Sequence, residues 1–184
     1  MVGNGFNLSL IVQLYTSIKQ SVLRKTYMSE KISFFAYNEL INEDYFKETG
    51  LEHIQKVTVT LSAQRVVFNR LPPETTKIEG QGLPNIETTP DNAGMMEGVL
   101  YEMRDTFLPK LDEFHGYPKE CNRQVMNLNA HDFHTVRGIV YFAQPDKVGK
   151  NLKPSKALMK LFRKARKEFS MLYFSRLMNT RTCD

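Results

Sequence analysis

At 184 residues, with 41% apolar and 24% charged residues, the chain has the size of one ordinary globular domain and is too hydrophobic for general disorder. The longest apolar run near the start, Leu8 to Val12, falls far short of the roughly 20 residues of a membrane span, and residues 1 to 10 hold no Lys or Arg to open a secretory signal. With only Cys121 and Cys183 there is no disulfide framework and no four-cysteine zinc site, so the composition predicts a cytoplasmic protein with reduced thiols.

In chain order, Met1-Val2-Gly3-Asn4-Gly5-Phe6 has the glycines of a phosphate loop but no strand ahead of it, so a nucleotide site is set aside. Ile11, Leu14, Tyr15, Ile18, Val22 and Leu23 recur at three- and four-residue spacing and predict a helix from about Asn7 to Met28. A second, shorter helix is expected over Phe34 to Lys47, stopping near Gly50. Lys56 to Leu61 and Arg65 to Leu71 alternate or cluster β-branched residues and read as two strands of a hairpin, joined by Ser62-Ala63-Gln64.

From Pro72 to Gly94 the periodicity disappears and Pro72, Pro73, Pro84 and Pro90 accumulate, which predicts a long functional or partner-ordered loop. Met96, Val99, Leu100, Met103, Phe107 and Leu111 then suggest a helix from about Met95 to Phe114, kinked or ended by Pro109. His115 to His134 looks irregular, and Val136 to Ala143 reads as a buried strand. A basic loop, Pro145 to Pro154, leads into a final helix over residues 155–179.

The expectation is therefore a single α+β domain over residues 1–184, with about four helices packed on a small, mainly antiparallel sheet containing the 56–71 hairpin. Its core should include Leu14, Ile18, Val22, Val57, Val59, Val67, Leu100, Met103, Ile139, Tyr141, Leu158, Phe162 and Phe169.

The net charge of +5 is unevenly distributed. Residues 145–184 carry 11 Lys and Arg against 3 Asp and Glu, whereas the rest of the chain is slightly acidic. At 100° per residue, Lys156, Lys160, Arg163, Lys164 and Lys167 form a ridge opposite Leu158, Leu161, Phe162, Ala165, Phe169 and Leu172, and Lys150 and Lys153 extend it. Such a ridge suits phosphate backbones, so the leading expectation is a non-enzymatic DNA- or RNA-binding protein without a cofactor.

Met171, Phe174 and Met178 continue along the same side and predict contact with other protein subunits. That supports an alternative: a structural protein, forming a homo-oligomer or part of a larger, viral-type particle. The weaker third reading is a metal-dependent nuclease or hydrolase centred on His131, Asp132 and His134, with His115 and Asp112 or Glu113 upstream as possible further ligands. Against it, their spacing lacks the two-histidine helical signature, and a turn held by side-chain hydrogen bonds explains the residues more simply.

Overall fold

The computed structural model describes residues 30–76, 78–132 and 134–184. The predicted first helix, its core positions Leu14, Ile18 and Val22, and the glycine-bearing start lie outside the described residues. Residues Lys31–Asp184 form one compact unit.

Five strands close into a barrel in the order β1 (Lys31–Ala36), β5 (Met95–Arg104), β2 (Gln55–Ser62), β6 (Cys121–Ala130) and β7 (Thr135–Ala143). Neighbours run antiparallel except at the closure, where β7 meets β1 in parallel through Phe34 and Ile139. The remaining strands, β3 (Gln64–Arg70) and β4 (Leu83–Thr88), form a separate two-stranded sheet. Four α-helices occur among the described residues: α1 (Glu43–Glu48), α2 (Leu108–His115), α3 (Lys156–Lys164) and α4 (Met171–Met178). None is long and apolar enough to cross a membrane.

The mixed α+β class is as the sequence predicts, but the sheet is a closed barrel rather than a small open one. The 56–71 hairpin does not form. Ala63, alone between β2 and β3 and held at φ 61°, turns the chain out of the barrel; its N–H donates to Gly94 and its carbonyl accepts from Thr89. Each strand then pairs elsewhere, β2 with β5 and β6, β3 with β4. The expected loop 72–94 contains β4, and the expected irregular stretch 115–134 contains β6.

Two predicted helices are in fact strands that continue into short helices. The segment Phe34-Phe35-Ala36 is β1, and Met95–Arg104 is β5. Both are buried on both faces: Phe35, Tyr37, Val59, Leu61, Met96, Leu100, Leu128 and Val140 fill the barrel, while Phe34, Ala36, Val99, Tyr101, Met103 and Tyr141 join the helices in a second cluster outside it. A strand covered on both sides has apolar residues at nearly every position, and a helical spacing can be picked out of such a run by chance. Val57, expected in the core, is 43% exposed.

The predicted helix 155–179 is also broken. α3 stops at Lys164, a single 3-10 turn covers Arg166–Glu168, and Phe169 is extended (φ −123°, ψ 148°) before α4 begins. Two anchors force the break. Glu168 turns inward to accept from Lys56 at 2.7 Å, and Ser170 caps α4 while its N–H and hydroxyl both donate to Glu97.

At Gly98 in β5, opposite Val59, an added Cβ would lie 2.5 Å from the carbonyl oxygen of Ala36 and 2.6 Å from the Phe35 ring. Gly98→Ala is therefore expected to cost about 1–3 kcal/mol through overpacking, read as a lower urea midpoint at unchanged slope.

Candidate active site

Where β1 leaves the barrel, the chain runs Tyr37-Asn38-Glu39 into a 3-10 turn, Glu39–Ile41. Asn38 starts that turn by accepting the N–H of Leu40 on Oδ1 at 3.2 Å. The same side chain, only 3% exposed, reaches across to α2, where its Nδ2 lies 3.3 Å from Nε2 of His115.

His115 closes α2, with Gly116 at φ 66° ending the helix in the left-handed conformation. Its Nδ1 is 2.8 Å from the carbonyl oxygen of Leu111, which can only accept, so Nδ1 carries the proton and Nε2 accepts from Asn38. Burial drives the histidine pKa down to about 3, aided by the positive charge of Arg70, and the ring is neutral at physiological pH. It stacks on Tyr141 at 3.9 Å with an interplanar angle of 6°.

Tyr141 links the site to a supporting layer. Its carbonyl accepts the hydroxyl of Tyr37 at 2.6 Å, and its own hydroxyl donates to Asp112 at 2.6 Å. Asp112 also receives Arg123, whose Nη1 lies 2.8 and 2.6 Å from the two carboxylate oxygens. That carboxylate is fully engaged, and its work is to hold the tyrosine.

Two groups in the cluster are not engaged in this way. Oε2 of Glu39 is buried with no hydrogen-bond partner, and burial raises the carboxyl above its usual pKa while Arg70 pulls it back. Arg70, at the end of β3 and 8% exposed, donates Nη1 to Sγ of Cys121 at 3.4 Å, and its Nε is buried without a partner. The Cys121 thiol is itself pushed up by burial and stays neutral, so it supplies no counter-charge. The positive charge of Arg70 acts to lower the pKa of Tyr37, Glu39, His115 and Cys121. The cluster therefore offers a carboxyl with a free oxygen, an uncompensated cation and a neutral imidazole held by an amide, a set suited to proton transfer on a small polar molecule.

Apart from His115 and Asp112, weighed only as further ligands for a metal at His131, Asp132 and His134, none of these residues was singled out as functional by the sequence reading. The available signal was a run of apolar β1 residues passing straight into Tyr37-Asn38-Glu39, but the helical reading of 34–47 hid the turn.

The residues that the sequence did single out lie elsewhere. Lys150, Lys153, Lys156, Lys160, Arg163, Lys164 and Lys167 are all exposed. Lys156, Lys160, Arg163 and Lys164 line a hollow of about 600 Å³ beside the C-terminal tail, with Met159 and Met178 among its other walls. The expected patch of Met171, Phe174 and Met178 does not form as one face: Met171 is 74% exposed, but Phe174 and Met178 pack against the core because α4 is a separate helix. His131, Asp132 and His134 sit in the β6–β7 turn, where Asp132 accepts the N–H of His134 at 3.2 Å. Among the described residues no group of three His, Cys, Asp or Glu could hold a metal.

Residues 35–159 match the family described as gamma-glutamyl cyclotransferase, AIG2-like. The chain belongs to that family. The matched segment contains every member of the cluster, from Tyr37 to Tyr141, and ends before Lys160. Membership overturns the nucleic-acid-binding, structural and metal-nuclease readings. The basic ridge had carried the leading one, but charge density on a surface helix is a property of solubility as much as of binding.

Solved structures agree on the fold. A gamma-glutamyl cyclotransferase superposes with a TM-score of 0.71 at 16% identity, over 84% of this chain and 90% of that one. YkqA from Bacillus subtilis gives 0.68 at 17%, over 89% and 59%. A yeast gamma-glutamyl cyclotransferase specific to glutathione gives 0.54 at 9%, over 80% and 94%. No curated protein sequence matches the chain significantly.

Proposed function

We propose that this protein is a γ-glutamyl cyclotransferase acting on a small γ-glutamyl amide, with Glu39 as the proton-transferring group. The observation that carries the reading is the coincidence of the family match with a buried carboxyl whose Oε2 has no partner.

In a γ-glutamyl amide the α-nitrogen and the γ-carbonyl carbon are spaced to close a five-membered lactam. The nucleophile is already in the molecule, so the protein has to fold the substrate and move protons rather than assemble two reactants. The α-ammonium must first lose a proton. A buried carboxylate with a raised pKa is a stronger base than one in water, and Glu39 is such a group. His115 is the poorer candidate: its Nε2 is occupied by Asn38, and a pKa of about 3 gives it little hold on a proton.

Glu39 takes a proton from the α-ammonium, the freed amine attacks the γ-carbonyl carbon, and the carbon–nitrogen bond to the departing amine breaks. The two hydrogens lost from the α-nitrogen end on the departing nitrogen through Glu39, leaving 5-oxoproline and an ammonium ion of the released amine. The Asn38 amide has a second N–H besides the one given to His115, and this would donate to the carbonyl oxygen as it gains charge. His115, through its hydrogen bond from Asn38 and its stack on Tyr141, is a positioning residue.

The experiment is to incubate the purified protein with a set of γ-glutamyl amides and to separate 5-oxoproline from glutamate. Release of 5-oxoproline supports the reading. Glutamate as the sole product would mean simple hydrolysis, and neither product would leave the activity unsupported.

A further inference from the structure

A cleft of about 600 Å³ lies beside the two-stranded sheet and shares no residue with the candidate active site. Its walls are β3, the β4–β5 connection, residues 152–154 and α4. The α4 wall, with Tyr173, Arg176 and Leu177, lies beyond the segment 35–159 that matches the family.

The inner lining is apolar: Val66, Phe68, Pro154, Tyr173 and Leu177 are buried or half-buried. The charged lining residues, Arg65, Asp91, Lys153 and Arg176, are exposed and form the mouth together with Met95, itself 63% exposed. A concave apolar lining of this size with a few charged groups has the form of a small-molecule site rather than of a flat protein interface.

The charges at the mouth set the sign of the occupant. Arg65 is neutralised by Glu87. Lys153 and Arg176 come from two different walls, and among the described residues neither has a carboxylate within ion-pair distance. Asp91 is tied into the turn ahead of β5, where its Oδ1 accepts the N–H of Ala93 at 3.1 Å. Two unpaired cations therefore stand over an apolar hollow, and an apolar body entering it would release water from its own surface and from the lining.

We infer that this cleft binds a small amphiphilic anion, an aliphatic or aryl body carrying one carboxylate or sulfonate. The body lies against Phe68, Tyr173 and Leu177, and the head meets Lys153 and Arg176. The inference does not depend on the cyclotransferase reading, since it uses none of the residues placed in that site.

The test varies the head of the ligand and the mouth of the cleft. The probe is the aryl sulfonate 1-anilinonaphthalene-8-sulfonate, whose fluorescence should rise when it binds the native protein at pH 7. Decanoate and 1-decanol share one chain and differ in the charge of the head, so displacement of the probe by each measures what the charge contributes. Decanoate should displace it at roughly 3- to 30-fold lower concentration, the range of two solvent-exposed charge contacts. Lys153→Gln combined with Arg176→Gln should abolish that preference by weakening decanoate, with decanol unchanged within twofold. Ala93→Trp, at an exposed position on the mouth, should block the probe and both ligands at an unchanged melting temperature. Lys160→Gln combined with Lys164→Gln, in the separate hollow on α3, should change nothing.

No rise in fluorescence, equal displacement by the two ligands, or an Ala93→Trp protein that binds like wild type would each overturn the proposal. Loss of the preference in the Lys160 and Lys164 variant would move the anion to α3 and overturn it as well. So would a wild-type dimer in light scattering that Ala93→Trp converts to a monomer, because a second copy of the chain would then fill the cleft.

Discussion

Replacing Glu39 by Gln is expected to lower kcat for 5-oxoproline release by about 10²- to 10⁴-fold, with a much smaller change in KM. Gln keeps the shape and the hydrogen-bonding reach of the side chain but cannot accept the proton of the α-ammonium. The fold should persist, since the oxygen that matters has no partner in the free protein. The sign for stability follows from the direction of the shift. A carboxyl raised above its unfolded value contributes stability that is present at low pH and is lost as pH rises through the folded pKa. At pH 7 the wild type therefore bears the cost of the raised pKa, which Glu39→Gln does not, and the variant should melt at a higher temperature than wild type. Loss of turnover with a raised melting temperature separates a proton-transfer role from damage to the fold. Glu87→Gln, on the exposed side of β4 and paired with Arg65, is the matched control and should leave kcat within threefold. Turnover by Glu39→Gln at the wild-type rate would assign the base elsewhere.

The second large effect is pH-dependent and belongs to His115. Its folded pKa of about 3 lies below the unfolded value of 6.5, so the unfolded chain binds the proton more readily in between. The stability contributed by keeping the ring neutral is complete above about pH 6.5 and is lost as pH falls toward 3. Between pH 7 and pH 5 the wild type should lose about 2 kcal/mol through this residue. In His115→Gln, which retains an amide to meet Asn38, that loss is absent. Glu39 titrates with the opposite sign, so the slope of either protein alone is mixed, and the gap between the two isolates the histidine. Urea unfolding of both proteins at the two pH values measures it: the variant is less stable at pH 7 through lost stacking on Tyr141, and the gap should narrow by about 2 kcal/mol at pH 5. A constant gap would mean that the imidazole is protonated or hydrated in the folded state.

Both predictions concern residues that the sequence reading did not bring together in this site, and the reason is physical. Pattern reading works where an element has one wet face. β2, with Val59 and Leu61 buried and their neighbours partly exposed, alternates as a strand should and was legible. β7 was legible for its β-branched and aromatic run. β5 was not, because barrel interior and helix layer cover its two faces, and a sequence rich in Met, Glu and Leu then satisfies a helical template over ten residues. The break at Phe169 and Ser170 had one local signal, a serine able to cap a helix. What enforces it is the reach of Glu97 and Lys56 from β5 and β2, more than 70 residues away in sequence.

The candidate site was hidden for the same reason. Asn38 and His115 are 77 residues apart, and Arg70 and Cys121 are 51 apart. No spacing rule joins such pairs, since a catalytic motif is visible in sequence only when its members share one turn, strand or helix. The basic ridge on α3 was visible for the converse reason: its residues share one helix.

By itself the sequence determined the mixed α+β class, strands at β2, β3 and β7, the inward face of α3 and the uneven spread of charge. These are local consequences of side-chain periodicity and composition. The closure of the barrel, the turn at Ala63, the break before α4 and the meeting of Glu39, Arg70 and His115 were decided by tertiary structure alone. Each depends on hydrogen bonds or burial between distant segments, and the free energy of such contacts is not written in any one window of the chain.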